Sequence, residues 1–240
     1  MKIQLVSDLH SEFFDSTEKA IDTTVRILPS DVLIIAGDIG NYETFTAALK
    51  LLALRYYDSN PDGRVLYIMG NHEFYLSHSP LEVTDLAEEV CKSARITWLN
   101  NAVETIQEQR FIGSTLWYPF TLNFKLVSDS RYLAGDYIWE QNRLSKAFLE
   151  GTVRPGDIVI THHTPLGILT DGLLSSDIFD FSGTNLLKLI AEQRPSVWVF
   201  GHQHSSYDFT VYSTHLYCNP FGYYDYILNE TYQPDFSITV

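Results

Sequence analysis

The sequence predicts a layered α/β fold, on three observations. Short runs of aliphatic and β-branched residues recur along the chain, segments with helical apolar spacing separate them, and the runs stop abruptly at Asp, Asn and His. Continuous apolar runs suit strands buried on both faces of a sheet. Strands that alternate with helices indicate sheets covered by helical layers.

In order, the runs are 3–6, 32–36, 65–69, 111–116, 158–160 and 197–200. Residues 43–57 carry Phe45, Leu49, Leu52 and Tyr56 on one helical face. A second helix is predicted over 81–93, after Pro80, which suits a first helical turn. Two more are predicted over 140–150 and 185–193. The C-terminal runs 209–212, 216–218 and 236–240 predict antiparallel strands. Two stretches, 118–135 and 166–182, lack a period and read as long loops or small cap insertions in one domain spanning 1–240; long loops in compact domains are often functional.

Composition narrows the function classes. The 240 residues include 45% hydrophobic and 14% aromatic side chains, enough for one large core. With 16 Lys+Arg against 30 Asp+Glu the net charge is −14, which disfavours a general nucleic-acid or anionic-membrane surface. A small phosphate ester stays compatible, because bound divalent cations invert the local field. Two cysteines, Cys91 and Cys218, are too few for a disulfide framework and read as reduced thiols. The opening Met-Lys-Ile-Gln-Leu-Val enters a strand pattern directly, and no run approaches a membrane span; both predict a soluble cytoplasmic protein.

The residues that end the runs carry the chemistry. Asp8 and His10 follow the first run in Ser-Asp-Leu-His, and Asp38 follows the second in Ala-Gly-Asp-Ile-Gly. Asn71 and His72 follow the third in Met-Gly-Asn-His-Glu. His162 and His163 follow a later run in Thr-His-His-Thr-Pro, and His202 and His204 the next in Phe-Gly-His-Gln-His. Ligands of open α/β sheets bind beyond the carboxyl ends of the strands. Imidazole, carboxylate and carboxamide groups there suit borderline divalent metals, and seven are too many for one ion. Asp38, alone after its strand, is the natural bridge between two.

Each element also has an ordinary reading. Asp8 and His10 suit a strand cap and a surface histidine, Gly37-Asp38 a plain turn, and Asn71 a helix N-cap. The pair His162-His163 suits backbone hydrogen bonding, and His202-x-His204 an exposed strand. These readings fail jointly: six of the eight histidines, all but His78 and His215, fall just after a predicted buried strand.

The ordered set Asp8-x-His10, Gly37-Asp38, Gly70-Asn71-His72-Glu73, His162-His163-x-Pro165 and Gly201-His202-x-His204 resembles the calcineurin-like metallophosphoesterase family over about residues 1–220. The resemblance extends to the turn Asn219-Pro220-Phe221-Gly222-Tyr223. It implies a four-layer α/β/β/α sandwich of two mixed sheets flanked by helices. It also implies two divalent ions (Mn, Fe or Zn, with Mn favoured in vitro). Asp8, His10, Asp38 and His204 would hold one, and Asp38, Asn71, His162 and His202 the other. His72 is similar to the family's catalytic histidine, which faces the substrate and is not a ligand. The implied activity is hydrolysis of a small phosphomonoester or phosphodiester by a hydroxide activated between the ions. Alternatives are cleavage of a nucleotide pyrophosphate at the same site and a non-catalytic interaction scaffold. Many members carry an aspartate behind the catalytic histidine where this chain has Asn41, which implies a hydrogen bond to His72 without a charge. The tyrosine ligand of purple acid phosphatases has no counterpart, since Tyr42 falls one residue too late.

Overall fold

The computed structural model describes residues 1–119, 124–166 and 183–240. Its elements run β1 (Lys2–Val6), α1 (Thr17–Thr24), β2 (Val32–Ala36), α2 (Phe45–Ser59), β3 (Arg64–Ile68), α3 (Pro80–Ser93), β4 (Ile96–Trp98), β5 (Ala102–Ile106), β6 (Gln109–Ser114), α4 (Gly135–Thr152), β7 (Ile158–Thr161), α5 (Leu187–Gln193), β8 (Val197–Phe200), β9 (Tyr207–Val211), β10 (Thr214–Cys218), β11 (Gly222–Tyr223), β12 (Ile227–Leu228) and β13 (Ser237–Thr239).

Two mixed sheets stack face to face, one of order β13-β1-β2-β3-β4 and one of order β5-β6-β7-β8-β10-β9. Side-chain alternation sorts their residues into layers. Ile3, Leu5, Val32 and Ile34 point inward against Phe111, Ile158, Ile160 and Val199, forming the layer between the sheets. Leu33, Ile35 and Tyr67 point outward under Phe45, Leu49 and Leu52 of α2 and Val83, Ala87 and Val90 of α3. On the far side Val159, Trp198 and Phe200 meet Leu149 of α4 and Leu189 and Ile190 of α5. Each fully buried aliphatic side chain contributes about 1.5–3 kcal/mol. The result is the expected α/β/β/α sandwich.

Local signals set the helix starts. Ser79 accepts from the backbone N–H of Glu82 at 3.3 Å, with Pro80 in the first turn, so α3 begins where the proline predicts. Ser16 caps α1 in the same way through Lys19 N at 3.2 Å. The C-terminal expectation needs one correction. β13 pairs antiparallel with β1 and β9 with β10, but β10 lies parallel to β8, because it completes the second sheet rather than a separate hairpin. α1, β4, β5, β11 and β12 were not anticipated; they are short, and β5 is only half buried.

In the stretch 118–135, the described part folds as two short 3-10 turns, Phe124–Leu126 and Ser128–Arg131, that lead into α4. The stretch 166–182, beyond Leu166, lies outside the described residues, as do 120–123. Cys91 and Cys218 are free and buried. No helix among the described residues is long and apolar enough to cross a membrane.

Candidate metal centre

Five strand ends, those of β1, β2, β3, β7 and β8, converge at one rim of the two sheets. Backbone bonds lock the turns together: Asp8 N donates to Gly37 O, His10 N to Asp38 O, and Gly201 N to His162 O, at 2.9–3.0 Å. Asp8, His10, Asp38, His202 and His204 all take positive φ, between 47° and 68°. Such left-handed backbone costs a non-glycine residue on the order of 1 kcal/mol, persists only where its surroundings enforce it, and concentrates at functional sites.

Glycines let these turns close. A Cβ on Gly70 would lie 2.1 Å from Asp38 Oδ1 and 2.7 Å from His162 Nε2, and one on Gly37, at φ 88°, 2.4 Å from His162 Nδ1. Glu73, fully buried, fastens the turns after β2 and β3. It accepts from Asp38 N (3.2 Å), Ile39 N (3.1 Å), Gly70 N (2.9 Å) and Tyr67 Oη (2.9 Å). Burial and the neighbouring Asp38 push its carboxyl up to about 8, against the pull of these donors.

The seven predicted ligands all reach this rim, in two sets that share Asp38. In the first set, His204 Nε2 lies 3.5 Å from Asp8 Oδ1 and 3.1 Å from His10 Nε2, which is 3.9 Å from Asp38 Oδ2. In the second, Asp38 Oδ2 lies 3.3 Å from His162 Nε2, and Asn71 Oδ1 lies 3.1 Å from both His162 Nε2 and His202 Nδ1. Among the described residues, four overlapping three-residue groups bring their donor atoms within 4.8 Å of one another: Asp8-His10-His204, His10-Asp38-His72, Asp8-Asp38-His162 and His162-His163-His202. Imidazole, carboxylate and amide oxygen packed this closely, with Nδ1 of His162 donating 2.9 Å to Ala36 O so that Nε2 faces inward, fit first-row divalent cations. His163 turns Nδ1 to Thr115 O at 3.2 Å and stacks on Trp117, while its Nε2 is buried without a hydrogen-bond partner.

The charges are distributed unevenly. Burial opposes protonation of His162, but Asp38 and Asp8 push it up to about 10. Burial and the nearby His162 push His202 down to about 4. His72, whose charged form burial also opposes, is pushed up to about 9 by Asp38 and Glu12.

Three contacts were not read from the sequence. Nδ1 of His72 meets Glu12 Oε1 at 2.9 Å, whereas Asn41 Oδ1 accepts from Glu43 N (3.1 Å) and Thr44 Oγ1 (3.2 Å). The carboxylate behind His72 therefore comes from position 12, and Asn41 serves the turn into α2. Glu12 lies two residues past His10, a spacing present in the sequence. Asn71 Nδ2 donates to Asp129 Oδ1 at 2.9 Å and to Tyr75 Oη at 3.0 Å. Tyr223 Oη lies 3.3 Å from His72 Nε2, with its ring against His10 and His204. Asp129 lies in a stretch without period, so no sequence signal pointed to it. Asp38, Asn71, His72, Tyr75, Asp129, His202, His204 and Tyr223 line a cleft of about 380 Å³. Of the histidines left out, His215 pairs with Asp208 on the surface at 2.6 Å.

Comparison with known proteins matches residues 1–206 to the calcineurin-like phosphoesterase family model. An uncharacterised protein of Acanthamoeba polyphaga mimivirus is 26% identical over 269 residues, covering 92% of this chain and 91% of that protein. Among solved structures, the phosphopantetheinyl hydrolase of Mycobacterium tuberculosis superposes with a TM-score of 0.72 at 17% identity, covering 92% of this chain and 89% of that one. A Thermus thermophilus protein superposes with a TM-score of 0.54 at 12% identity, over 91% and 88%.

Proposed function

The chain belongs to the calcineurin-like phosphoesterase family, whose members are metal-dependent hydrolases of phosphoesters, and on that premise we propose that it cleaves a small phosphomonoester or phosphodiester in the cleft over Asp38. One observation carries the reading: two sets of ligand atoms share the single carboxylate of Asp38. In the proposal Asp8, His10, Asp38 and His204 hold one divalent ion, and Asp38, Asn71, His162 and His202 hold a second. Bound there, the pair would clamp phosphoryl oxygens and make water nucleophilic at neutral pH.

The chain's own groups do the rest. His72 offers Nε2 to the cleft and keeps Nδ1 on Glu12, so it is placed to hand a proton to the leaving oxygen. Burial and the carboxylates of Asp38, Asp8 and Glu12 push Tyr223 above the usual phenol range, so it stays a neutral hydroxyl whose oxygen can accept from Nε2.

The test is hydrolysis after chelator stripping and reloading with Mn²⁺, on p-nitrophenyl phosphate, its bis-ester, a nucleotide pyrophosphate and a phosphopantetheine ester. Turnover of one ester class, restored by metal and dependent on Asp38, is the expected result. A stripped protein that binds two equivalents of metal yet turns over none of the four would overturn the reading.

A further inference from the structure

We propose that Glu12 is a positioning residue that clamps two imidazoles at once, setting the tautomer of His10 and of His72 through a single carboxylate oxygen. The geometry begins in a tight turn. His10 adopts φ 47°, Phe13 N donates back to His10 O at 3.0 Å, and the 3-10 turn Ser11–Phe13 folds residue 12 over the strand end. Phe13 packs on Tyr223 at 5.0 Å between ring centroids, which holds that turn against the cleft. Glu12 Oε1 then lies 3.1 Å from His10 Nδ1 and 2.9 Å from His72 Nδ1, the two rings meeting edge to face at 4.3 Å.

An oxygen of a carboxylate only accepts, so both Nδ1 atoms must carry hydrogen to face it. Each ring is thereby left with Nε2 as its working nitrogen. His10 Nε2 faces His204 and Asp38, where a cation would sit; His72 Nε2 faces Tyr223 and the cleft, where a leaving group would sit. The other oxygen, Oε2, is buried without a hydrogen-bond partner, so Glu12 is held in place by the two imidazoles it orients. One side chain thus ties a proposed metal ligand to the proposed acid. The assignment of His10 as ligand and His72 as acid rests on the function proposed above.

Glu12→Gln and Glu12→Ala separate positioning from packing. The glutamine keeps a carbonyl acceptor at nearly the same volume; the alanine removes it. Long-range ¹⁵N–¹H spectra of the imidazoles, taken on chelator-stripped and zinc-loaded protein, report tautomers directly. The wild type should show His10 and His72 with hydrogen on Nδ1. In the chelator-stripped protein, where no cation fixes the His10 tautomer, Glu12→Ala should give mixed tautomers for both; in the loaded protein it should lower kcat on p-nitrophenyl phosphate by about 10–100-fold with a smaller change in KM, and weaken retention of one metal equivalent. Glu12→Gln should restore the Nδ1 signature and recover most of the rate. Unchanged tautomers in Glu12→Ala, or tautomers no better defined in Glu12→Gln than in Glu12→Ala, would overturn the proposal. If the wild type hydrolyses no phosphoester, the spectra still decide the role of Glu12, and only the functional reading falls.

Discussion

Asn71 Nδ2 donates to Asp129 Oδ1, and this bond decides which end of the carboxamide faces the histidines. With nitrogen committed to Asp129 and Tyr75, Oδ1 is left 3.1 Å from the ring nitrogens of His162 and His202. Asp129 is itself held by the hydroxyls of Tyr75, at 2.5 Å, and Tyr118. An amide whose ends are interchangeable would otherwise present its NH₂ group to a cation about as readily.

Asp129→Ala should therefore weaken one of two metal equivalents by about 10–100-fold and leave the other near its original affinity. It should also lower stability by about 1–3 kcal/mol, because two buried hydroxyls lose their acceptor. Competitive metal titration and denaturant unfolding measure the two effects. Equal weakening of both equivalents would show that Asp129 acts on the whole site and not through Asn71.

The bridging role of Asp38 predicts a second outcome. Asp38→Ala should abolish binding of both ions, since Oδ2 faces both sets, while His204→Ala should mainly weaken one. Gly70→Ala approaches the same result without replacing a ligand, because its Cβ would displace the Asp38 carboxylate and the His162 ring. Inductively coupled plasma analysis of metal content, alongside circular dichroism of the fold, reads all three. Two full equivalents retained in Asp38→Ala would remove the bridge.

Much of this site was legible because it stands at strand ends. The runs that became β1, β2, β3, β7 and β8 are apolar on both faces, so the polar side chains after them mark the rim; which of those are ligands, and that His72 is not, came from the family resemblance. What escaped depends on partners distant in sequence. Glu12 matters because a left-handed turn at His10 folds it onto His72, 60 residues on. Asp129 matters because Asn71 and two tyrosines meet it from other segments. The dependence on Asp129 leaves no period or spacing in the sequence, and the two-residue step from His10 to Glu12 does not name His72 as its partner. Asn41 shows the converse: its position in the motif suggested a partner for His72, yet the local competition for its side chain is won by the N–H of Glu43.

Metal uptake should depend on pH through His162. Of His10, His162 and His202, only His162 is pushed up, to about 10, while the other two are pushed down. At neutral pH the stripped protein therefore carries a proton on His162 that a cation must displace from Nε2. The sign follows: the proton is bound below about 10, so affinity rises with pH, by about tenfold per unit between pH 6 and 9 for one proton released. Calorimetric titration in buffers of different ionisation enthalpy counts that proton. Uptake without proton release would mean that His162 is neutral before metal arrives.

The last prediction concerns how a protein of net charge −14 attracts an anionic substrate. Among the described residues that line the cleft, none is lysine or arginine. The cations nearest in sequence to this wall are placed elsewhere: Arg143 is exposed and bound to Glu140 at 2.6–2.8 Å, and Lys125 and Arg131 are exposed on the short turns flanking Asp129. Long-range forces should thus repel a phosphate ester, and attraction should come at contact distance from bound cations. Raising salt from about 50 to 500 mM shortens the Debye length from about 14 to 4 Å and screens the repulsion. kcat/KM should then hold steady or rise, and chelator stripping should abolish substrate binding along with turnover. A steep fall in kcat/KM with salt would instead place a cationic group on the substrate, and Lys125→Ala and Arg131→Ala would show whether the Asp129 wall supplies it.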